Sequence, residues 1–294
     1  MSAVVNEADP INALTVDLED WFQGLTSTNP HVERWPLLES RVVPATERLL
    51  SLLDAHHVRA TFFVLGYVAE RHPRLIERVR EHGHELAVHG YAHRSVTRLR
   101  PDEFASEIDR ASEALERITG EPPAGHRAPY FSINSDMAWA FDLLARRGYR
   151  YDSSVFPMRS LLYGDARAPI VPHRVGHDAT LIEFPISALE IGRRRLPFSG
   201  GFYLRALPYR AVRWAMRHVN RKGLAAILYV HPWELDTGQC YPHVTPRERV
   251  SHYYGRGGLE AKLERLFTDF RFTTLADLAE RLGPANDKSP QGSS

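Results

Sequence analysis

A single cysteine, Cys240, occurs in 294 residues. An intrachain disulfide is therefore impossible, and so is a cysteine-rich zinc site. One free thiol is compatible with a reducing compartment. Cys240 follows Gln239 in a Gly/Pro/Thr-rich loop that offers nothing to depress its pKa, so it reads as incidental rather than nucleophilic. Long apolar runs are also missing. None approaches about 18 residues, so no membrane span is expected. Charge of one sign is missing as well: 37 Lys+Arg against 36 Asp+Glu leave a formal net charge of +1. The reading finds no Lys/Arg block and no interleaved aromatic-basic stripe, which argues against nucleic acid as a partner. Residues 1–12 are polar and acidic, with neither a basic n-region nor an apolar h-region. No signal peptide is expected there, and a cytoplasmic location is. Nothing in the sequence points to an oligomeric state.

What is present is ordinary for a globular chain: 43% hydrophobic and 25% charged residues. Short apolar runs alternate with amphipathic patterns. Strands are expected at 13–16, 60–65, 85–88, 125–127 (or a tight loop), 149–152, 181–185, 225–230 and 270–273. Helices are expected at 44–56, 73–82, 101–119, 134–147 (capped by Asn134 or Ser135), 208–221, 258–267 and 275–282. Strand then helix, repeated about seven times, argues for parallel strands with helices outside. No Gly-rich phosphate loop follows the first strand, which disfavours a nucleotide-binding sheet. The expected fold is α/β, an irregular (β/α) barrel of about seven strands in one domain. Its expected limits are 13–283, with an extension at 1–12 and a disordered tail at 284–294. Residues 159–178 and 192–205 read as irregular insertions at the mouth of the site.

Two clusters carry chemistry. His89-Gly90-Tyr91-Ala92-His93 ends the run Glu85–Val88, and Asp17-Leu18-Glu19-Asp20 ends the run Ala13–Val16. On a helical turn, residues i and i+4 share a face and can chelate one ion. Two imidazoles and one carboxylate leave coordination room for water or substrate, which suits a hydrolytic centre. In a strand Asp17 and Glu19 share a face, so spacing favours Glu19 as the carboxylate; a turn at the strand end would bring Asp20 instead. Two further segments complete the set: Gly125-His126-Arg127-Ala128-Pro129-Tyr130-Phe131, and His231-Pro232-Trp233-Glu234 at the end of the most apolar run.

In this order the motifs resemble the polysaccharide deacetylase family, carbohydrate esterase family 4 with its NodB-type homology domain. They are closest to a subfamily associated with exosortase and exopolysaccharide loci. T-V-D-L-E-D-W-F, R-A-P-Y-F, Y-D-S-S-V-F-P (151–157) and H-P-W-E-L-D (231–236) carry that likeness, with 200–205 and 252–254. The resemblance implies a metal-dependent hydrolase that removes acetyl groups from N-acetylated oligo- or polysaccharides or a lipid-linked precursor. It implies Asp17 as general base, Arg127 as its partner and His231 as general acid. It implies His89, His93 and Glu19 or Asp20 around a divalent ion, zinc by preference with cobalt, nickel or manganese as substitutes. The backbone N–H of Tyr130 would serve the oxyanion. Independently of the resemblance, Trp233 with Trp21, Phe22, Phe131 and Tyr203 is a candidate aromatic platform for sugar, because sugar C–H faces pack on aromatic faces, with core packing the rival role of each. The chain departs from the common pattern in spreading its first acids and in placing Phe156 where a Trp is usual. Asp152 is the nearest candidate to support His231. Two rival readings are an amidohydrolase of a small amide on the same scaffold and a non-catalytic carbohydrate-binding protein.

Overall fold

The computed structural model describes residues 10–25, 28, 30–158 and 164–283. The expected tail, most of the expected extension and the start of the first insertion lie outside the described residues. Its strands are β1 (Ile11–Leu18), β2 (Thr61–Val64), β3 (Glu85–Val88), β4 (Gly125–His126), β5 (Tyr151–Asp152), β6 (His173–Val175), β7 (Leu181–Glu183), β8 (Ala188–Ile191), β9 (Arg194–Pro197), β10 (Ile227–Val230) and β11 (Arg271–Thr273). The main sheet has the order β10-β1-β2-β3-β4-β5-β7-β6, and all neighbours up to β7 run parallel. β6 is antiparallel to β7, and β11 pairs in parallel with the start of β1.

The sheet curls into the expected irregular barrel. β10 and β7 do not pair. Loop segments bridge the seam: Ser187 N–H donates to Ile227 O at 3.4 Å and Tyr229 N–H to Ser199 O at 2.9 Å. Gly200 bridges Tyr229 at this seam. A Cβ on Gly200 would stand 2.1 Å from Tyr229 Cδ1, so only glycine permits the approach.

Alternation along the strands sorts the core into two layers. Leu14, Val16, Leu18, Phe62 and Val64 point outward to the helices, where they meet Leu49, Leu53, Ile76 and Ile108. Ala13, Phe63, Ala87, Tyr151, Ile182 and Tyr229 point inward and fill the barrel. Thr15 and Asp17 lie in register with the inward set and are fully or almost fully buried. Thr15 thus places a hydroxyl inside the barrel, and Asp17 a carboxylate toward the end of its strand.

Most expected elements occur within two or three residues of their expected limits. The helix expected at 134–147 is the main exception. It starts at Ala138, and Ser135, an expected cap, instead donates its backbone N–H to Asp165. The two stretches read as irregular contain structure: β6 in the first, and most of the β8–β9 hairpin and the helix Gly201–Ala206 in the second.

Candidate active site

Glu19, His89 and His93 bring one ligand atom each within 4.8 Å of one another, and all three are buried. The imidazole pair does not sit on a helical turn as its spacing suggested. His89 follows β3, Gly90 takes φ +70°, and His93 itself takes φ +51°. Two left-handed residues reverse the chain and swing His93 back over His89, with ring centroids 5.3 Å apart. A left-handed histidine is strained, and strain of this kind collects at functional sites. Tyr130 and Phe131, at φ +58° and +48°, add two more such residues on the other side of the cleft.

The donor set fits a divalent cation. His89 Nδ1 lies 2.8 Å from the Arg127 carbonyl, which fixes its tautomer and leaves Nε2 for a ligand. Burial, then the nearby His93, keeps His89 well below the ordinary imidazole range, hence neutral. Glu19 Oε2 lies 2.8 Å from His93 Nε2 and has no hydrogen-bond partner of its own. Both atoms aim at a shared point. Burial alone would raise the Glu19 carboxyl, but His93, His231 and His89 outweigh it and hold it at about 2.

Asp20 is not part of this group. Its carboxylate accepts from the backbone N–H of Trp21 at 2.9 Å, of Arg41 at 3.0 Å and of Val42 at 3.4 Å. It thus closes the start of the helix Val42–Ala55, whose own N-cap, Arg41, offers no side-chain acceptor. The alternation that sends Asp17 and Glu19 to one face sends Asp20 to the other. Asp20→Ala should therefore cost about 1–3 kcal/mol of stability, read by denaturant unfolding, and leave metal content unchanged. Loss of metal in this variant would overturn the assignment.

Asp17 stands beside the cluster and is held by Arg127, whose Nη1 donates to Asp17 Oδ1 at 2.7 Å and to Thr15 Oγ1 at 2.8 Å. Arg127 is fully buried. Its Nε donates to Ser153 O at 3.0 Å and its Nη2 to Ser153 Oγ at 2.9 Å. The guanidinium lies 4.1 Å from the centre of the Phe63 ring. Every direction is occupied, so the group cannot turn away from Asp17.

His231 arrives from the end of β10. Its Nε2 is 3.8 Å from Asp17 Oδ2 and 3.7 Å from Glu19 Oε1. Asp152 does not support it. Asp152 lies 2.7 Å from His126 Nδ1 and accepts from Ser154 Oγ at 2.7 Å, in a fully buried cluster on β4 and β5. His126 is the outward-facing neighbour of Arg127, so its partner also faces away from the cleft. The support comes from Glu234. Its Oε2 accepts the His231 backbone N–H at 2.9 Å and lies 3.2 Å from Nδ1. Glu234 is tied in turn to Arg205, whose Nε donates to Oε1 at 2.6 Å. Arg205 also donates to the carbonyls of Ser251, His252 and Tyr254. Burial opposes charge on His231, but Glu234, then Glu19 and Asp17, push its pKa up to about 9. Burial would raise Glu234, yet Arg205 and His231 hold it at about 2. The sequence carried a hint in H-P-W-E: a carboxylate three residues on reaches back to the His231 N–H as a capping box does. Arg205, far away in the chain, left no local signal.

Trp233 is not a sugar platform. It is 5% exposed, with its ring stacked on His231 at 4.9 Å and on His252 at 3.8 Å. Both faces are covered. Its Nε1–H donates to Glu19 Oε1 at 3.1 Å and so orients the carboxylate. Trp233→Phe should weaken cation affinity by about 10–100-fold, read by competition with a chromophoric chelator. Unchanged affinity would remove the orienting role. Of the other aromatic candidates, Trp21 and Phe22 are core residues, Tyr203 packs half-buried against the inner layer, and Phe131, though buried, borders the cleft. Tyr130 faces the cleft, 4.4 Å from the His93 ring, with its hydroxyl donating to Leu25 O at 3.3 Å.

The cleft over these groups has a volume of about 130 Å³ and is also lined by Leu25, Tyr130, Phe202 and Ser251. It opens where strands end, as barrel sites do. A larger hollow of about 710 Å³ lies at the strand starts, among His57, Arg59, Phe270 and Arg271, away from the cluster. Bulk volume is a poorer guide here than converging polar groups.

Comparison with known proteins finds the same family that the motifs resemble. The polysaccharide deacetylase family model matches residues 33–151. A second model, described as a domain of unknown function (DUF3473), matches residues 153–280. The peptidoglycan-N-acetylglucosamine deacetylase of Bacillus cereus is 35% identical over 96 residues, covering 32% of this chain and 35% of that protein. The chain thus spans about a third of the length of this curated relative. A solved protein from Mycobacterium smegmatis that carries the polysaccharide deacetylase name has 25% identity and a TM-score of 0.58, over 95% of this chain and 93% of its own. A family 4 pseudoenzyme from Bacillus anthracis shares the fold at a TM-score of 0.52 and 12% identity, over 93% of this chain and 66% of its own. The seam between the two matched regions crosses one continuous sheet: β1–β5 precede it, and β7, β10 and β11 follow it.

Proposed function

Because this chain belongs to the polysaccharide deacetylase family, we propose that it is a metal-dependent hydrolase that removes acetyl groups from N-acetylated sugars. One observation carries the reading. A cation-ready group, Glu19, His89 and His93, is flanked by Asp17 with Arg127 and by His231 with Glu234. Amide hydrolysis needs an activated water, a polarised carbonyl and a proton for a poor leaving group. A divalent ion held by Glu19, His89 and His93, zinc in this reading, would supply Lewis acidity for the first two needs. Asp17, held in place by Arg127, would take the proton of the attacking water. The Tyr130 backbone N–H would face the developing oxyanion. His231, protonated beside Glu234, would deliver a proton to the departing nitrogen.

The substrate we favour is a polysaccharide or its lipid-linked precursor, as suits an exopolysaccharide pathway in the cytoplasm. The named activity of the Bacillus cereus relative supports an N-acetylated glycan as the substrate class. The test is acetate release from N-acetylhexosamine oligomers. Activity should disappear after chelation and return with added zinc or cobalt. Retention of oligomers without acetate release under any metal would instead leave a binding protein.

A further inference from the structure

Between Glu190 and Glu234 the chain contains no aspartate or glutamate, yet it holds eight arginines and one lysine. In a chain balanced at 37 cations to 36 anions, this is a sharp local excess. No block of adjacent charges announces it over most of its length, because the cations recur at helical spacing. The helix Tyr209–Arg221 buries Val212, Ala215, Met216 and Val219. Its opposite side exposes Arg210, Trp214, Arg217 and Arg221, at i, i+4, i+7 and i+11, and Lys222 follows. Trp214 is 48% exposed in the middle of that stripe.

A second element extends the pattern. The β8–β9 hairpin exposes Ile191 at 47% and Leu196 at 45%, on either side of exposed Arg193 and Arg194. It packs beside the same helix: Ala188 and Glu190 line one crevice with His218, Val219 and Lys222. The acids that face these elements are engaged. Glu190 lies 3.6 Å from Arg195, and Asp269 binds Arg213 and Tyr209. The stripe residues Arg210, Arg217 and Arg221 carry no such ion pair among the described residues.

The geometry points to a peripheral docking surface for an anionic lipid bilayer, formed by the helix Tyr209–Arg221 and the tip of the β8–β9 hairpin. Arginine and lysine heads reach acidic headgroups while their stems lie along apolar surface. An exposed tryptophan between them suits the headgroup–acyl boundary, and Ile191 and Leu196 add shallow apolar anchors. An acidic glycan could stack on Trp214 but would have no use for the aliphatic Ile191 and Leu196. In the chain, the helix Gly201–Ala206 lies between the two elements, and its Phe202 and Arg205 line the cleft. This inference does not depend on the reaction performed there.

The full chain is to be sedimented with vesicles of phosphatidylcholine alone and of phosphatidylcholine with phosphatidylglycerol. Binding should require phosphatidylglycerol and weaken with salt. The double variant Arg217→Glu/Arg221→Glu should lose at least about tenfold in affinity. Trp214→Ala should lose severalfold, and the wild-type tryptophan emission should shift to the blue on binding. Failure of the wild type to bind the anionic vesicles overturns the proposal. So does unchanged binding by either variant, or binding to dextran sulfate with vesicles ignored. Circular dichroism of both variants separates lost docking from lost fold.

Discussion

Asp17→Asn should lower kcat by about 10²–10⁴-fold, the range for loss of a positioned base. Metal content should stay the same, because Asp17 is outside the Glu19, His89 and His93 group. The substitution keeps the shape but removes the charge that Arg127 faces 2.7 Å away. A buried guanidinium would be left without its counter-ion, at a cost of about 3–5 kcal/mol in such pairs. Two readouts are therefore linked: acetate release under saturating substrate and the denaturant midpoint. Full activity with a metal-loaded Asp17→Asn protein would remove Asp17 from the mechanism. Lost activity together with lost metal would move it into the ligand set.

His231→Ala should be comparably damaging, about 10²–10⁴-fold in kcat, with its burden on substrates whose leaving amine is most basic. Glu234→Gln tests the same group differently. The Glu234 carboxylate, then Glu19 and Asp17, lift His231 to about 9. A raised folded-state pKa means stability that is complete below the unfolded value, about 6.5, and lost as pH climbs through about 9. Glu234 is depressed to about 2, so its contribution is complete above about 4.5 and lost as pH falls through about 2. The pair is therefore strongest between those limits. Without the carboxylate, the alkaline limb of the kcat profile should move to lower pH, and the thermal midpoint should lose most near pH 5–6. A limb that stays in place in Glu234→Gln would disconnect Glu234 from His231. Arg205→Ala should raise the acid limit of the pair rather than lower the alkaline one, since Arg205 is the main charge holding Glu234 down.

The fold was legible because its signals are local. A-T-F-F-V-L, E-L-A-V and A-A-I-L-Y-V announce buried strands, and glycines at 83 and 120 end the helices before them. The candidate ligands Glu19 and His89 were legible for the same reason, each standing just past an apolar run. The errors fall where geometry departs from spacing. H-G-Y-A-H has the interval of a helical turn, but left-handed Gly90 and His93 make it a loop. Asp152 lies in a sequence that suggests a partner for His231, yet strand alternation faces it outward to His126. Trp233 looked like a surface for sugar because aromatics in loops often are, and its two imidazole neighbours are separated from it by long-range folding or by a turn. The basic stripe of the helix Tyr209–Arg221 leaves no local signal, because one arginine every three or four residues forms no block.

The boundary near residue 152 divides the catalytic inventory as well as the sheet. Asp17, Glu19, His89, His93 and Arg127 precede it, while His231, Glu234 and Arg205 follow. A polypeptide severed there would yield one fragment with ligands and base but no proton donor, and another with a proton donor that has nothing to serve. Each would present raw strand edges where β5 meets β7 and β1 meets β10. Mixed together, such fragments have reason to find each other, and turnover would report their reunion.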